Sequence, residues 1–109
     1  MSNADAPAQR KYCNNAVKLM KFEWNPDKAA RNQAKHGISF DEAAKIFSDP
    51  LYVDFFDPSH SDEENRYIRV GCLEEHRVLV VAYTERDGRV RIISARPATK
   101  HEREAYEER

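Results

Sequence analysis

The chain has 109 residues, 18 of them basic and 19 acidic, which gives a formal net charge of −1. This length suits one domain with its own core, and two distant cysteines, Cys13 and Cys72, argue against a disulfide framework or a zinc site. The near-neutral charge argues against a generic basic nucleic-acid-binding protein, and no apolar run reaches the ~20 residues of a membrane span.

One domain is predicted over residues 19–109, after a leader over residues 1–18 that is either flexible or was added in cloning. The leader holds few large apolar residues and lacks the apolar block of a secretory signal. With two cysteines that we expect to be reduced, the absence of such a signal predicts a cytoplasmic protein.

Capping signals predict two consecutive helices after a short first strand. The alternation of apolar and polar residues over Leu19–Trp24 indicates the strand. Asn25–Pro26 fits the start of a helix, which should end where Gly37 allows a left-handed conformation. Ser39–Glu42 matches a capping box, so a second helix should follow at once and stop at Asp49–Pro50.

The second half of the chain predicts a four-strand meander and a last helix. Asp87-Gly88 is a hairpin signal, and Thr99–Glu102 is a second capping box. Short connections require antiparallel neighbours, so we expect an α+β domain with its helices on one face of a mostly antiparallel sheet and the other face open for a ligand. The predicted strands are Leu51–Phe56, Arg66–Cys72, Val78–Thr84 and Val90–Ala95.

Charge is distributed unevenly along the chain. Between Asp41 and Glu64 the acidic residues far outnumber the single base, Lys45, whereas bases outnumber acids between Arg77 and Arg103. A folded domain could therefore carry a basic face although its net charge is close to zero.

The first helix carries a polar stripe at three- and four-residue spacings, formed by Lys28, Arg31, Asn32 and Lys35, with His36 beside it. Such a stripe is most often a solvated helix face. His36 either favours the negative end of the helix next to its cap or serves in acid–base chemistry, since histidine titrates near neutral pH.

Arginines within strands are the second candidate site. Arg66 opens one strand, Arg91 lies inside another and Arg96 ends it. These arginines are either part of a wet outer face or the lining of an anion site, since a guanidinium clamps a phosphate in two places and keeps its charge. Neighbouring strands would add polar groups to the same face, namely Glu64, Arg69, Tyr83 and Glu85.

Other chemistries lack a motif in this sequence. With three glycines in all, the chain has no phosphate-binding loop or dinucleotide fingerprint, and its acidic loop Asp62–Glu64 lacks the spacing of a calcium site. Cys72 lies in a strand with no recognisable base and reads as a core residue. We therefore expect no cofactor and no metal.

Two blocks of this sequence resemble the BrnT family of toxins. The first block is Phe22–Lys28 with Asn32 and then Lys35–Ala43. The resemblance extends over about Met20–Glu107, and the two blocks occur in the order of the family. The second block is Glu64–Arg66 with Gly71, Tyr83–Arg86, Arg91–Arg96, Ala98–Thr99, Glu102–Arg103 and Tyr106. Pro97 departs from the pattern, because the family often continues with basic residues there.

The resemblance implies a RelE-like fold and a toxin of a bacterial type II toxin–antitoxin system. Such a toxin would be an endoribonuclease that cleaves RNA, on or off the ribosome, and so inhibits translation. The implied partner is a ribbon-helix-helix antitoxin, and operator DNA would be contacted only through the complex with that antitoxin. No membrane contact is implied.

The implied chemistry is metal-independent attack of the 2′-hydroxyl of RNA on the adjacent phosphorus, which needs a base, an acid and cations around the phosphate. Arg66 and Arg91 are the predicted cations. His36 or Glu64 is the predicted base, and His36 or Tyr106 the predicted acid. Lys28, Lys35 and Arg96 are predicted to hold the RNA backbone. The alternative is a non-catalytic RNA- or protein-binding module that acts mainly in an antitoxin-bound repressor complex.

Overall fold

A computed structural model describes residues 20–58, 64–74 and 77–108 of the chain. The predicted leader, residues 1–18, and Cys13 lie outside the described residues. Within them no helix is both long enough and apolar enough to cross a membrane. In chain order the elements are β1 (Lys21–Glu23), α1 (Pro26–His36), α2 (Phe40–Lys45) with a 3-10 turn at Ile46–Ser48, β2 (Val53–Asp57), β3 (Arg66–Glu74), β4 (Arg77–Arg86), β5 (Arg89–Pro97) and α3 (Lys100–Glu108).

The predicted starts of α1 and α2 and the predicted end of α1 are confirmed by their caps, whereas α2 ends at Lys45 and only its 3-10 turn extends to Ser48, before the predicted stop at Asp49–Pro50. The Asn25 side chain accepts hydrogen bonds from the amides of Asp27 and Lys28, and Gly37 ends α1 with a φ of 71°. Ser39 and Glu42 form the reciprocal capping box of α2. These hydrogen bonds join residues close together in the chain, so they determine where α1 and α2 begin without any tertiary contact.

The strands form one five-stranded sheet in the order β1-β5-β4-β3-β2. Strands β2 to β5 pair antiparallel, as predicted, while β1 pairs parallel to β5 at the far side. The β4–β5 turn has positive φ at both Asp87 and Gly88, which is the hairpin geometry that this dipeptide favours. The sheet is therefore mixed, with one parallel pair that the sequence did not predict.

The main core lies between one face of the sheet, called here the helix face, and helices α1 and α2. It is built from alternate residues of the central strands, with Leu79, Val81 and Ile92 facing the buried Ile38 and Phe40. Alternation along a strand sends neighbouring residues to opposite faces, except at the bulge in β5, after which Ala95 faces the same core as Ile92.

The opposite face of the sheet, called here the second face, carries a smaller cluster of Val70, Val78 and Val80. Tyr106 of α3 packs against this cluster. The prediction that all helices pack on one face is therefore wrong for α3, because its apolar residue reaches the second face beyond the end of β5. What stays open on the second face is the part nearer to Arg66 and Arg91.

Candidate functional site

A cross-strand row of polar residues crosses the open part of the second face. Arg66 of β3 stands opposite Thr84 of β4, which stands opposite Arg91 of β5. Residues directly opposite each other share a face, so the two arginines point the same way. Their Cα atoms are separated by two strand spacings, about 10 Å, which allows both guanidinium groups to reach one phosphate.

The row continues to both edges of the sheet through acidic residues. Asp57 of β2 stands opposite Arg66, and Glu23 of β1 stands opposite Arg91. Beside the row lies an open concavity of about 250 Å³. Its lining consists of Asp57, Arg66, Ile68, Val80, Ala82, Ile93, Ser94 and Arg96. Arg66, Arg91 and Arg96 are thus brought to one face, and Arg91 and Arg96, five residues apart on β5, share it because a bulge at Ile93 shifts the alternation.

Buried Thr84 fixes the segment that leads into β3. Its hydroxyl donates a hydrogen bond of 2.6 Å to the backbone carbonyl of Asn65. Asn65 stands between Glu64 and Arg66, so this bond sets the position of two predicted site residues at once.

Each arginine of the second face has a carboxylate near it. Arg91 Nη1 donates to Glu23 Oε2 at 3.0 Å, and in the described part of the chain this is the one hydrogen bond of that guanidinium. Its other N–H donors remain available to a phosphate oxygen. Arg89 adds a looser contact with Glu23 at 3.6 Å.

Arg96 is held more tightly than Arg91. Its two terminal nitrogens bind the two oxygens of Glu102 at 2.7 and 2.8 Å. This ion pair, together with a hydrogen bond from the backbone amide of Thr99, lowers the pKa of Glu102 to about 2. Arg96 therefore offers less of its guanidinium to RNA than the sequence predicts, because Glu102 already occupies the guanidinium fork.

Glu64 binds Arg86 through two hydrogen bonds of 2.8 Å. The hydrogen bonds with Arg86, and the charges of Arg86, Arg66 and Arg91, lower the pKa of Glu64. Glu64 is thus an ionised carboxylate close to both arginines of the row. It is placed to accept a proton, but its low pKa makes it a weak base.

Three predicted members of the open face lie on the helix face instead, namely Arg69, Tyr83 and Glu85, the last of which stands opposite the core residue Val90. Arg69 and Tyr83 are buried there, where Arg69 binds Asp54 through two bonds of 2.8 Å and Tyr83 donates to Asp54 at 2.8 Å. The reason is the period of the strand: Arg69 is three residues from Arg66, and an odd separation reverses the face. Burial, followed by the bond with Asp54, raises the pKa of Tyr83.

His36 lies at the far end of the sheet from the arginine row. It lines a separate cavity of about 190 Å³ together with Arg77, Leu79, Pro97 and Arg103, among others. Leu79 is five residues from Thr84 along β4, about 17 Å. The structure does not bring His36 beside a phosphate held by Arg66 and Arg91.

Tyr106 lies near the same end of the sheet as His36, on the second face. Its hydroxyl donates to Asp49, whose same oxygen accepts the Cys72 amide at 2.8 Å. Tyr106 therefore ties α3 to the segment before β2, and the structure does not bring it to the arginine row. Its acid role, like that of His36, stays a prediction.

The α1 stripe is solvent-exposed in part. Lys28 and Lys35 are exposed on a helix that packs on the helix face, and the structure does not bring them to the concavity. Asn32 is buried, because its amide exchanges two hydrogen bonds with the backbone of Ala95 at 2.8 and 3.1 Å. Asn32 was therefore wrongly placed among the solvated residues.

Three carboxylates that contact or face the arginines of the site were not predicted from the sequence. Asp57, Glu23 and Glu102 stand against the arginines, and their pairing follows from strand register and from the capping box of α3. Only Glu102 had a local signal, since the residue three positions after the N-cap of a capping box is an acid that points back along the chain. Among the described residues no group of three or more histidine, cysteine, aspartate or glutamate residues could hold a metal ion.

Fold and site together define a small α+β protein with an arginine-bearing sheet face. The fold is similar to the crystal structure of the Brucella abortus ribonuclease toxin BrnT, with a TM-score of 0.57 and 24% identity over 75% of this chain and 100% of that chain. No curated protein matches significantly. The family model for the ribonuclease toxin BrnT of type II toxin–antitoxin systems matches residues 24–102, and the chain belongs to this family.

Proposed function

We propose that this chain cleaves RNA on the second face of its sheet, without a metal ion, and inhibits translation by doing so. The observation that carries the proposal is the placement of Arg66, Arg91 and Arg96 on one open face beside a single concavity. Family membership supplies the ribonuclease activity, and this face supplies the cations that the reaction needs.

The reaction that fits these residues is an internal displacement. The 2′-oxygen of one ribose attacks the adjacent phosphorus and loses its proton to a base, and the 5′-oxygen of the next nucleotide leaves and takes up a proton from water. The products are a 2′,3′-cyclic phosphate and a 5′-hydroxyl. Arg66 and Arg91 neutralise the charge that grows on the phosphorus oxygens in the transition state.

Glu64 is the base in this proposal, because it is the ionised carboxylate that lies close to both arginines. Arg86 holds it in place at the cost of lowering its basicity. A weak base implies slow cleavage. His36 and Tyr106, as the alternative acid–base groups, would need an RNA that extends along the sheet to its other end.

The test is induction of the chain in a bacterial host without an antitoxin, while growth and new protein synthesis are followed. We expect arrest from the wild type and relief by Arg91→Ala. Lys45→Ala is the matched control, since it removes an exposed cation on α2, which packs on the helix face and has no predicted role in RNA binding. The purified chain should cut RNA equally well with and without a chelator, and should not cut a 2′-O-methyl RNA.

Arrest relieved by Arg91→Ala at equal soluble expression supports the proposal. Abundant folded wild type that binds RNA without arrest or cleavage would overturn it in favour of the non-catalytic binding module. Cleavage abolished by the chelator would overturn the metal-independent step alone.

A further inference from the structure

The concavity on the second face has a floor that is mostly apolar. Ile68 of β3, Ala82 of β4 and Ser94 of β5 stand opposite one another and line it, and we call these three residues the floor row. The floor row lies two residues along the strands from the arginine row, a distance of about 6.7 Å. Because Ala82 has the smallest side chain in the lining, the sheet face is hollow over β4.

A β-bulge adds an apolar wall to this hollow. The register of β4 and β5 shifts between Ala82 and Tyr83, and Ile93 is the extra residue of β5. Ile93 and Ser94 are neighbours in the chain, yet both line the concavity, whereas regular alternation would send one of them to the helix face. Bulges are frequent next to active sites, where they redirect a side chain in this way.

Ser94 is the uncharged polar side chain of the concavity. It is exposed, and within the described part of the chain its hydroxyl makes no hydrogen bond. A hydroxyl can both donate and accept, and a mostly apolar hollow with a few polar groups is the usual form of a small-ligand site. The volume of about 250 Å³ lies below the range of about 300–1,000 Å³ for drug-sized ligands, so the concavity fits a single ring system.

The covalent structure of RNA selects the occupant of this hollow. In the proposed reaction a phosphate lies on the arginine row, and the base of the adjoining nucleotide must lie to one side of that row. Toward the β4–β5 turn the next opposite pair is Arg86 and Arg89, both of which bind carboxylates, so that side is occupied by charged side chains. The other side is the floor row, whose apolar groups suit the flat face of a base.

We infer that the concavity seats one nucleobase of the RNA, with its ring face on Ile68, Ala82 and Ile93 and its edge on the Ser94 hydroxyl. This inference rests on the proposed function, since it takes an RNA phosphate on the arginine row as its starting point. Every base has an edge group that a serine hydroxyl can bond. The site therefore selects a base-bearing strand over a bare polyanion, and it reads the identity of the base only weakly.

Two uncleavable strands separate the base from the backbone. Purified chains are titrated with a short 2′-O-methyl RNA and with a strand of the same length and backbone that carries no bases. The wild type should bind the strand with bases about tenfold more tightly, near the lower end of the range for stacking on an aromatic ring because this floor is aliphatic. Ala82→Leu, which fills the hollow, should remove most of this preference. Ala30→Leu, the same substitution at an exposed position of α1, should keep it.

Two further measurements do not depend on whether Ala82→Leu folds. Ser94→Ala changes an exposed residue and should reduce the preference for bases about threefold, through loss of one hydrogen bond. In the wild type, the amide resonances of Ala82 and Ser94 should shift at saturation with the strand that carries bases, and much less with the other strand.

Failure of this inference and failure of the proposed function give different results. Loss of the base preference in Ala82→Leu, with unchanged affinity for the strand without bases, supports the base site even where the wild type neither cleaves RNA nor arrests growth. Equal affinity of the wild type for the two strands would overturn the inference, whatever the toxicity. A preference that Ala82→Leu leaves intact would overturn it in favour of base contacts elsewhere. An Ala82→Leu chain that binds both strands as the wild type does, but no longer binds its antitoxin, would overturn it in favour of a protein segment on the floor row.

Discussion

Glu102 has two roles that oppose each other. It closes the capping box of α3 with Thr99, and it occupies the guanidinium fork of Arg96 on the second face. The same carboxylate therefore stabilises the fold and withholds a cation from RNA. A single substitution separates the two effects.

Glu102→Gln is expected to lower the free energy of unfolding by about 1 kcal/mol near pH 7, since both partners are roughly a third exposed and solvent weakens the pair. It should also tighten RNA binding, because Arg96 regains its donors. Chemical denaturation and RNA titration measure the two effects. Glu104→Gln, on the exposed side of α3, is the control. Loss of stability without tighter RNA binding would show that Arg96 does not contact RNA.

The pH dependence of this substitution has a defined sign. The pKa of Glu102 is lowered to about 2 in the fold, so its contribution is complete above its unfolded pKa of about 4.3 and disappears as the pH falls toward 2. The difference between wild type and Glu102→Gln should be constant above about pH 5 and shrink below about pH 4. A difference that persists undiminished to pH 2 would contradict the ion-pair assignment.

Asn32 is the residue that locks α1 to the sheet. Its amide both donates to and accepts from the backbone of Ala95 and also donates to the Ile38 carbonyl at 3.2 Å. Asn32→Asp replaces the donor by a charge facing two carbonyl oxygens, so we expect a loss of about 3 kcal/mol in urea unfolding. Gln33→Glu, the exposed neighbour, should cost less than about 0.5 kcal/mol. Equal losses of stability in Asn32→Asp and Gln33→Glu would mean that the added negative charge, and not the loss of the buried hydrogen bonds, causes the destabilisation.

At the scale of elements, the sequence predicted what short-range bonds determine. Asn25, Gly37 and Ser39 set the ends of α1 and α2 through contacts within six residues, and Asp87-Gly88 set the hairpin. The pairing of β1 with β5 has no local signal, because Lys21 and Arg89 meet across 68 residues of chain. Their pairing depends on how the whole sheet packs.

The sequence also predicted only in part which face of the sheet each strand side chain occupies. Arg66, Arg91 and Arg96 were grouped correctly, but Arg69 and Tyr83 were assigned to the wrong face although a period of two was available to place them. The prediction treated a charged residue in a strand as solvated. Arg69 is buried instead, since Asp54, Tyr83 and the rings of Phe47 and Tyr52 surround its guanidinium.

Strand β2 depends on this buried ion pair. Asp54→Ala leaves the Arg69 charge buried without its carboxylate, so we expect a loss of about 3 kcal/mol and faster hydrogen exchange in β2. The double variant Asp54→Ala/Arg69→Met should recover part of the loss, because no charge is left unpaired. Asp41→Asn is the exposed control. A double variant no more stable than Asp54→Ala would show that packing around the methionine, rather than charge, sets the cost.

For the whole molecule, the balance of charge limits how RNA is attracted. The net charge is −1, and carboxylates accompany the arginines of the second face through Glu23, Glu64 and Glu102. The positive field therefore acts at contact distance and does not steer RNA from afar. Long-range attraction by a basic surface would make binding steeply dependent on salt, whereas a few arginine contacts would not.

The salt dependence of RNA binding tests this balance. With Arg66, Arg91 and Arg96 as the phosphate contacts, the logarithm of the affinity for a single strand should fall with the logarithm of salt concentration with a slope of about −2. Titration of an uncleavable 2′-O-methyl RNA by fluorescence anisotropy at several salt concentrations measures it. Arg91→Ala should make the slope shallower by about 0.7, and Lys35→Ala should leave it unchanged because Lys35 lies on α1. A slope steeper than about −4, or one that Lys35→Ala reduces, would mean that RNA also crosses the helix side of the molecule, and the predicted role of Lys28 and Lys35 would then stand.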